Sequence, residues 1–170
     1  MKTLKRFGVR GLALLAVAAA VVSSAGAPAS AAAASSERVR ITLGSGPMML
    51  DAYDYPGMDF RVVLRSYQAN FTQEWIVANV GPGTYTIQQR STGRYLDAYD
   101  WAAAGWLAVT RPWQGNDTQV WRKYDWGGGF VSWQQKSTGR CLTASITGDM
   151  QFTTQPCDWN NFQTFRIVDP

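Results

Sequence analysis

The sequence predicts an all-β domain in which one four-stranded unit is used three times, and two recurring segments carry that prediction. Leu50-Asp51-Ala52-Tyr53-Asp54 returns as Leu96-Asp97-Ala98-Tyr99-Asp100 and, more loosely, as Leu142-Thr143-Ala144-Ser145, with Asp97 46 residues after Asp51 and Thr143 46 after Asp97. Gln73-Glu74-Trp75 likewise returns as Gln119-Val120-Trp121 and Gln163-Thr164-Phe165. A repeat of that length held in register is one supersecondary unit, and three copies can close a core that none buries alone.

The elements follow in order from short alternating runs closed by Gly, Pro, Asn or Asp, with no helical periodicity between them. The first copy reads as strands over Val39–Leu43, Met48–Ala52, Phe60–Arg65 and Gln73–Ala78, with Gly44-Ser45-Gly46-Pro47 as its first turn. The second reads as Thr84–Gln89, Arg94–Ala98, Leu107–Arg111 and Gln119–Tyr124, the third as Phe130–Lys136, Arg140–Ala144, Gln151–Gln155 and Gln163–Val168. Ser-Thr-Gly-Arg separates the first two strands in copies two and three, where Gly93 and Gly139 suit a hairpin position of positive φ. Twelve short strands in repeats of about 38–82, 83–128 and 129–170 fit a β-trefoil with pseudo-three-fold symmetry. A sandwich has no reason to repeat every 46 residues.

Residues 1–33 read as a secretory signal peptide: Lys2, Lys5, Arg6 and Arg10 precede the apolar run Gly11–Val22 and an Ala-Ser-rich stretch, with cleavage expected near Ala33. The run is too short and too Ala-rich for a membrane span, so none is expected in the mature form, 34–170, which reads as a single domain. Four of the 16 Lys and Arg lie in the leader and none of the 12 Asp and Glu does, so the mature charge is balanced and gives no basis for a nucleic-acid partner. Cys141 and Cys157 are the only cysteines, an even pair in an exported chain. The absence of His excludes His-based triads and most zinc sites.

Gln-x-Trp near the end of each copy, behind a Leu-Asp segment, resembles the ricin B-chain type of lectin and carbohydrate-binding module over about Val39 to Val168. The stretch Val109 to Trp121 is similar to a bacterial and toxin-associated branch of that family. The resemblance implies a disulfide between Cys141 and Cys157, which stand at the family's cysteine places in copy three only. It also implies carbohydrate as partner, an extracellular location, and no metal, cofactor or catalytic residue.

A sugar needs an acceptor for adjacent hydroxyls, a ring against its apolar face and an amide to orient it. The resemblance places Asp51 and Asp97 as acceptors, with Asn70 and Asn116 as amides; the family's ring position is not aromatic here, and the nearby aromatics open to that role are Tyr67 and Trp113, and also Tyr53 and Tyr99. Gln73, Gln119 and Gln163 are expected to satisfy loop backbone groups, and in the family this Gln can also reach the sugar, which makes Gln73 and Gln119 candidate sugar contacts. Copy three has Thr143 at the acceptor position and is expected to be dead. At the family's platform position stand Arg65, Arg111 and Gln155, none aromatic; on the rival reading the two aspartates brace turns and the arginines pair with surface carboxylates. Trp75, Trp121 and Phe165 are expected in the core, while some of the eight Trp should lie exposed. Three other functions remain open: a trefoil hydrolase inhibitor, an accessory subunit of a toxin or glycosidase, and, with Asp97 and Asp100 or Asp51 and Asp54 as its carboxylate pair, a glycosidase. A protein partner is compatible with all of these.

Overall fold

A computed structural model describes residues 35–170; the signal peptide expected over 1–33 lies outside the described residues. Twelve strands form, four per copy. Copy one contributes β1 (Ser36–Leu43), β2 (Met48–Ala52), β3 (Val62–Ser66) and β4 (Trp75–Gly81), and copy two β5 (Thr84–Gln89), β6 (Tyr95–Ala98), β7 (Ala108–Arg111) and β8 (Trp121–Gly127). Copy three contributes β9 (Phe130–Gln135), β10 (Cys141–Thr143), β11 (Thr153–Gln155) and β12 (Phe165–Val168). The first and last strand of each copy pair antiparallel around a closed ring, β1-β4-β5-β8-β9-β12, which leaves no free barrel edge.

The other six strands make the hairpins β2–β3, β6–β7 and β10–β11, and these interlock cyclically. Thr110 N–H donates to Phe60 O (2.9 Å), Thr154 N–H to Trp106 O (2.8 Å) and Leu64 N–H to Met150 O (2.8 Å). All three acceptors hold left-handed backbone, φ 50, 55 and 53°, which turns their carbonyls toward the next hairpin. The Arg of each Ser-Thr-Gly-Arg turn reinforces the contact: Arg94 stacks on Phe60 and donates to Thr110 O, and Arg140 does the same with Trp106 and Thr154 O. Gly93 and Gly139 take the expected positive φ, 70 and 71°.

Core layers are filled by residues one repeat apart. Trp75, Trp121 and Phe165 are fully buried together with Ile41, Ile87 and Trp133. Copy three thus has Phe for Trp at one position and Trp for Ile at the other, so the loss of side-chain volume at the first is offset by a gain at the second. Trp75 and Trp121 also donate Nε1–H to Leu50 O (3.0 Å) and Leu96 O (3.1 Å), tying the barrel to the hairpin strand that carries each aspartate.

The strand boundaries differ from expectation in one informative place. Gln73 and Gln119 close single 3-10 turns, Phe71–Gln73 and Asp117–Gln119, and Gln163 ends a plain turn, so the last strand of each copy opens at the aromatic residue. Propensity does not show this, because the Gln side chains are engaged with their own loops. The disulfide joins Cys141 and Cys157, with Cα atoms 5.0 Å apart. Among the described residues no helix is long and apolar enough to cross a membrane.

Candidate functional site

Alternation along β2 and β6 sends Leu50 and Leu96 to the core and turns Asp51 and Asp97 the other way. Both aspartates are nonetheless fully buried. Arg65 and Arg111 therefore meet buried carboxylates, and not the surface carboxylates of the rival reading. Arg65 and Arg111 lie two residues along the partner strand, close enough for a long side chain to fold back diagonally over each carboxylate. Arg65 Nη1 comes within 3.6 Å of Asp51 Oδ2 and Arg111 Nη1 within 3.4 Å of Asp97 Oδ2, while the guanidinium groups stack on Tyr53 (4.1 Å) and Tyr99 (4.2 Å). The second oxygen of each carboxylate, Asp51 Oδ1 and Asp97 Oδ1, is buried without a protein hydrogen bond. Burial pushes the Asp97 carboxyl above its ordinary value, only partly opposed by nearby Thr118, Arg111 and the Ala98 amide.

The glutamines organise the adjoining loop. Gln73 accepts from Gln68 N–H (2.8 Å) and donates to Ser66 O (2.8 Å) and Asp51 Oδ2 (3.2 Å). Gln119 accepts from Gln114 N–H (2.7 Å) and donates to Pro112 O (2.9 Å). Asn70 and Asn116 are engaged within these loops, accepting from Thr72 and Thr118 hydroxyls (both 2.7 Å) and donating to Gln68 and Gln114 side chains. Tyr67 is exposed beneath the Arg40 guanidinium (5.0 Å). Trp113 packs on Tyr95 (5.0 Å), and these two stand where copy three has Cys157 and Cys141, so the ring contact takes the disulfide's place.

Two pairs of residues at the repeat spacing escaped the sequence reading, although the period alone singles them out. Gln89 donates to Ala52 O (2.6 Å) and Thr72 O (3.2 Å), and Gln135 to Ala98 O (2.7 Å) and Thr118 O (3.1 Å). Each thereby pins the aspartate strand to the glutamine turn of the preceding copy. The corresponding residue one repeat earlier is Leu43, so the third copy lacks that pin. Tyr55 and Trp101 follow the aspartates by four residues and are about half exposed, 48 and 50%, edge-on to Tyr53 (5.7 Å) and Tyr99 (4.8 Å). Copy three has Thr147 there, beside Thr143 in place of the carboxylate.

The two sites therefore offer a buried acceptor, stacked cations, an exposed ring and a braced loop. Among the described residues no cluster of three or more His, Cys, Asp or Glu is placed to hold a metal ion.

Comparison with known proteins gives a match to the ricin-type β-trefoil lectin domain-like family over residues 71–149. No curated protein matches the sequence. A designed three-fold symmetric protein, ThreeFoil, superposes with a TM-score of 0.69 at 22% identity, covering 78% of this chain and 99% of the design. A mosquitocidal holotoxin gives a TM-score of 0.71 at 14% identity over 80% of this chain and 17% of the toxin. The Polyporus squamosus lectin, solved with a human-type influenza-binding epitope, gives 0.66 at 20% identity over 78% of this chain and 48% of the lectin. At such identities these structures establish the fold. Repeat period, closed barrel and superpositions lead to one conclusion: this chain folds as a β-trefoil, and its residues 71–149 match the ricin-type β-trefoil lectin domain-like family.

Proposed function

We propose that the protein is a secreted, non-catalytic carbohydrate-binding protein that recognises extracellular or cell-surface glycans through its first and second repeats, after loss of a leader over 1–33. The observation that carries this reading is a recurring combination. In copies one and two, and not in copy three, a buried carboxylate oxygen without a protein donor lies four residues from an exposed ring, Asp51 with Tyr55 and Asp97 with Trp101. Adjacent sugar hydroxyls supply the missing donors, and the ring covers the apolar face of the pyranose.

Arg65 and Arg111 contact the other oxygen, Oδ2, of each carboxylate, and the sugar enters as they swing aside. Their 3.6 and 3.4 Å contacts are long beside the roughly 2.7–2.9 Å of a strong charge-assisted bond, so the movement gives up weak ion pairs together with the stacking on Tyr53 and Tyr99. Gln73 and Gln119 hold the loop that presents Asn70 and Asn116, and Tyr67 and Trp113 form the rim. Enclosed acid-base chemistry finds no support, since Asp54 and Asp100 are exposed beside the buried aspartates. Service as the targeting part of a toxin is a second form of the same activity, favoured by the likeness to the mosquitocidal holotoxin.

A glycan array on the secreted protein selects an oligosaccharide, and titration of Asp51→Ala, Asp97→Ala and the double variant tests the sites. Each change should remove one bound sugar per chain. A double variant that binds like wild type rejects the assignment and leaves the aspartates as turn braces. One shallow site typically holds its sugar at about millimolar strength, and two on one rigid body gain avidity toward a multivalent glycan.

A further inference from the structure

We propose that Tyr124, Trp126 and Trp159 form a separate contact surface for one pyranose ring of a neutral glycan, at the seam between the second and third copies. Its ligand class rests on the carbohydrate-binding reading above; its residues do not overlap with those sites. The Trp159 ring lies 4.7 Å from Tyr124 and 5.6 Å from Trp126, at 55 and 67°. Trp126 is 51% exposed and Trp159 37%.

Three features separate this cluster from ordinary surface aromatics. First, the fold does not require it: one repeat earlier, Tyr124 and Trp126 correspond to Ala78 and Val80. Second, Trp159 holds left-handed backbone, φ 58°, four residues before Gln163. The corresponding positions are Gly115 (φ 68°) and Ala69 (φ 50°), so a bulky indole occupies a conformation that suits glycine. Unlike the left-handed Phe60 and Trp106, whose rings are clamped by arginines, Trp159 faces solvent.

Third, the rings are held in place. Trp126 Nε1–H donates to the buried Ser132 hydroxyl (3.0 Å), which donates to Gln163 O (2.7 Å). Trp159 N–H donates to Gln163 Oε1 (3.0 Å), and the loop is tied by the Cys141–Cys157 disulfide. Rings already fixed lose little freedom on binding. The third copy thus retains a braced loop after losing its acceptor carboxylate, and the loop presents a ring.

The geometry selects the ligand. Rings inclined at 55–67° form a corner for a single sugar unit, whereas a flat polysaccharide surface needs coplanar rings. Asp125 and Asp158 are exposed beside Trp126 and Trp159, which disfavours anionic glycans and acidic membranes. Asp158 and Asn160, bonded at 2.8 Å, supply polar partners for hydroxyls at the edge.

The test uses the full secreted protein with neutral oligosaccharides of glucose, galactose and N-acetylglucosamine, followed through the indole N–H resonances. Trp126 and Trp159 should shift on titration, and still shift in Tyr55→Ala/Trp101→Ala. Trp159→Gly accommodates the positive φ, so its melting temperature should not fall, and it should weaken binding at this surface at least tenfold. The proposal is overturned if neither indole responds to any neutral sugar, or if Trp159→Gly leaves the Trp126 response unchanged. It is equally overturned if these resonances respond only to phosphatidylcholine vesicles or to protein concentration. Loss of binding in Trp159→Gly, with Tyr55→Ala/Trp101→Ala binding like wild type, supports this surface and rejects the sites in the first two repeats; the opposite pattern does the reverse.

Discussion

Gln119→Ala separates loop organisation from direct sugar contact. The side chain is fully buried and makes two hydrogen bonds to backbone, from Gln114 N–H at 2.7 Å and to Pro112 O at 2.9 Å. A net contribution of about 1 kcal/mol per bond gives about 2 kcal/mol. Loss of the packed methylene and amide adds about 1 kcal/mol, held down because the surface loop can settle into the space. Unfolding free energy from urea titration should thus fall by about 2–3 kcal/mol, or about 8–12 °C in melting temperature for a domain of this size. Because Pro112 and Gln114 lie in an exposed loop, the damage should be local: the Gln114 amide should exchange with solvent faster, while the Val131 amide in the barrel keeps its protection up to global opening. Sugar binding in repeat two should weaken with the loop. A stability loss below about 0.5 kcal/mol together with unchanged exchange at Gln114 would refute the view that this glutamine holds the loop.

Two further outcomes follow from the same structure. Replacing both Cys141 and Cys157 with Ala opens a link across 16 positions and should cost about 3 kcal/mol on the chain-entropy account, measured by urea unfolding of the secreted form; equal stability of the two proteins would contradict it. Asp97 has its carboxyl raised by burial, so its ionised form is disfavoured in the folded state. The destabilisation is fully present above the folded value and is relieved as pH falls through it toward the ordinary 3.8. Unfolding free energies of wild type and Asp97→Asn measured from neutral to acid pH should therefore show wild type gaining on the variant as pH falls; wild type losing ground would reverse the assigned cause.

The period of 46 residues by itself determined the architecture, because a trefoil is the closed solution to a four-stranded unit repeated three times. Trp75, Trp121 and Phe165 could be assigned to the core for the same reason: an aromatic recurring at the repeat spacing must lie near the pseudo-axis or repeat a surface feature, and their apolar neighbours decided between these. The same period contained Gln89 with Gln135 and Tyr55 with Trp101, but a side chain's partner is not written in its spacing. Gln89 reaches Ala52 and Thr72 across 37 and 17 residues, contacts created only when the barrel closes. Likewise, Arg65 and Arg111 read as departures from an aromatic platform, and tertiary structure alone folded them over Asp51 and Asp97 and stacked them on Tyr53 and Tyr99. Sequence by itself determined which residues are equivalent, since repetition is a one-dimensional property. The burial of the aspartates, the glutamine pins and the aromatic corner of Tyr124, Trp126 and Trp159 were decided by the packing of one copy against the next, because each depends on side chains brought together from distant strands and loops.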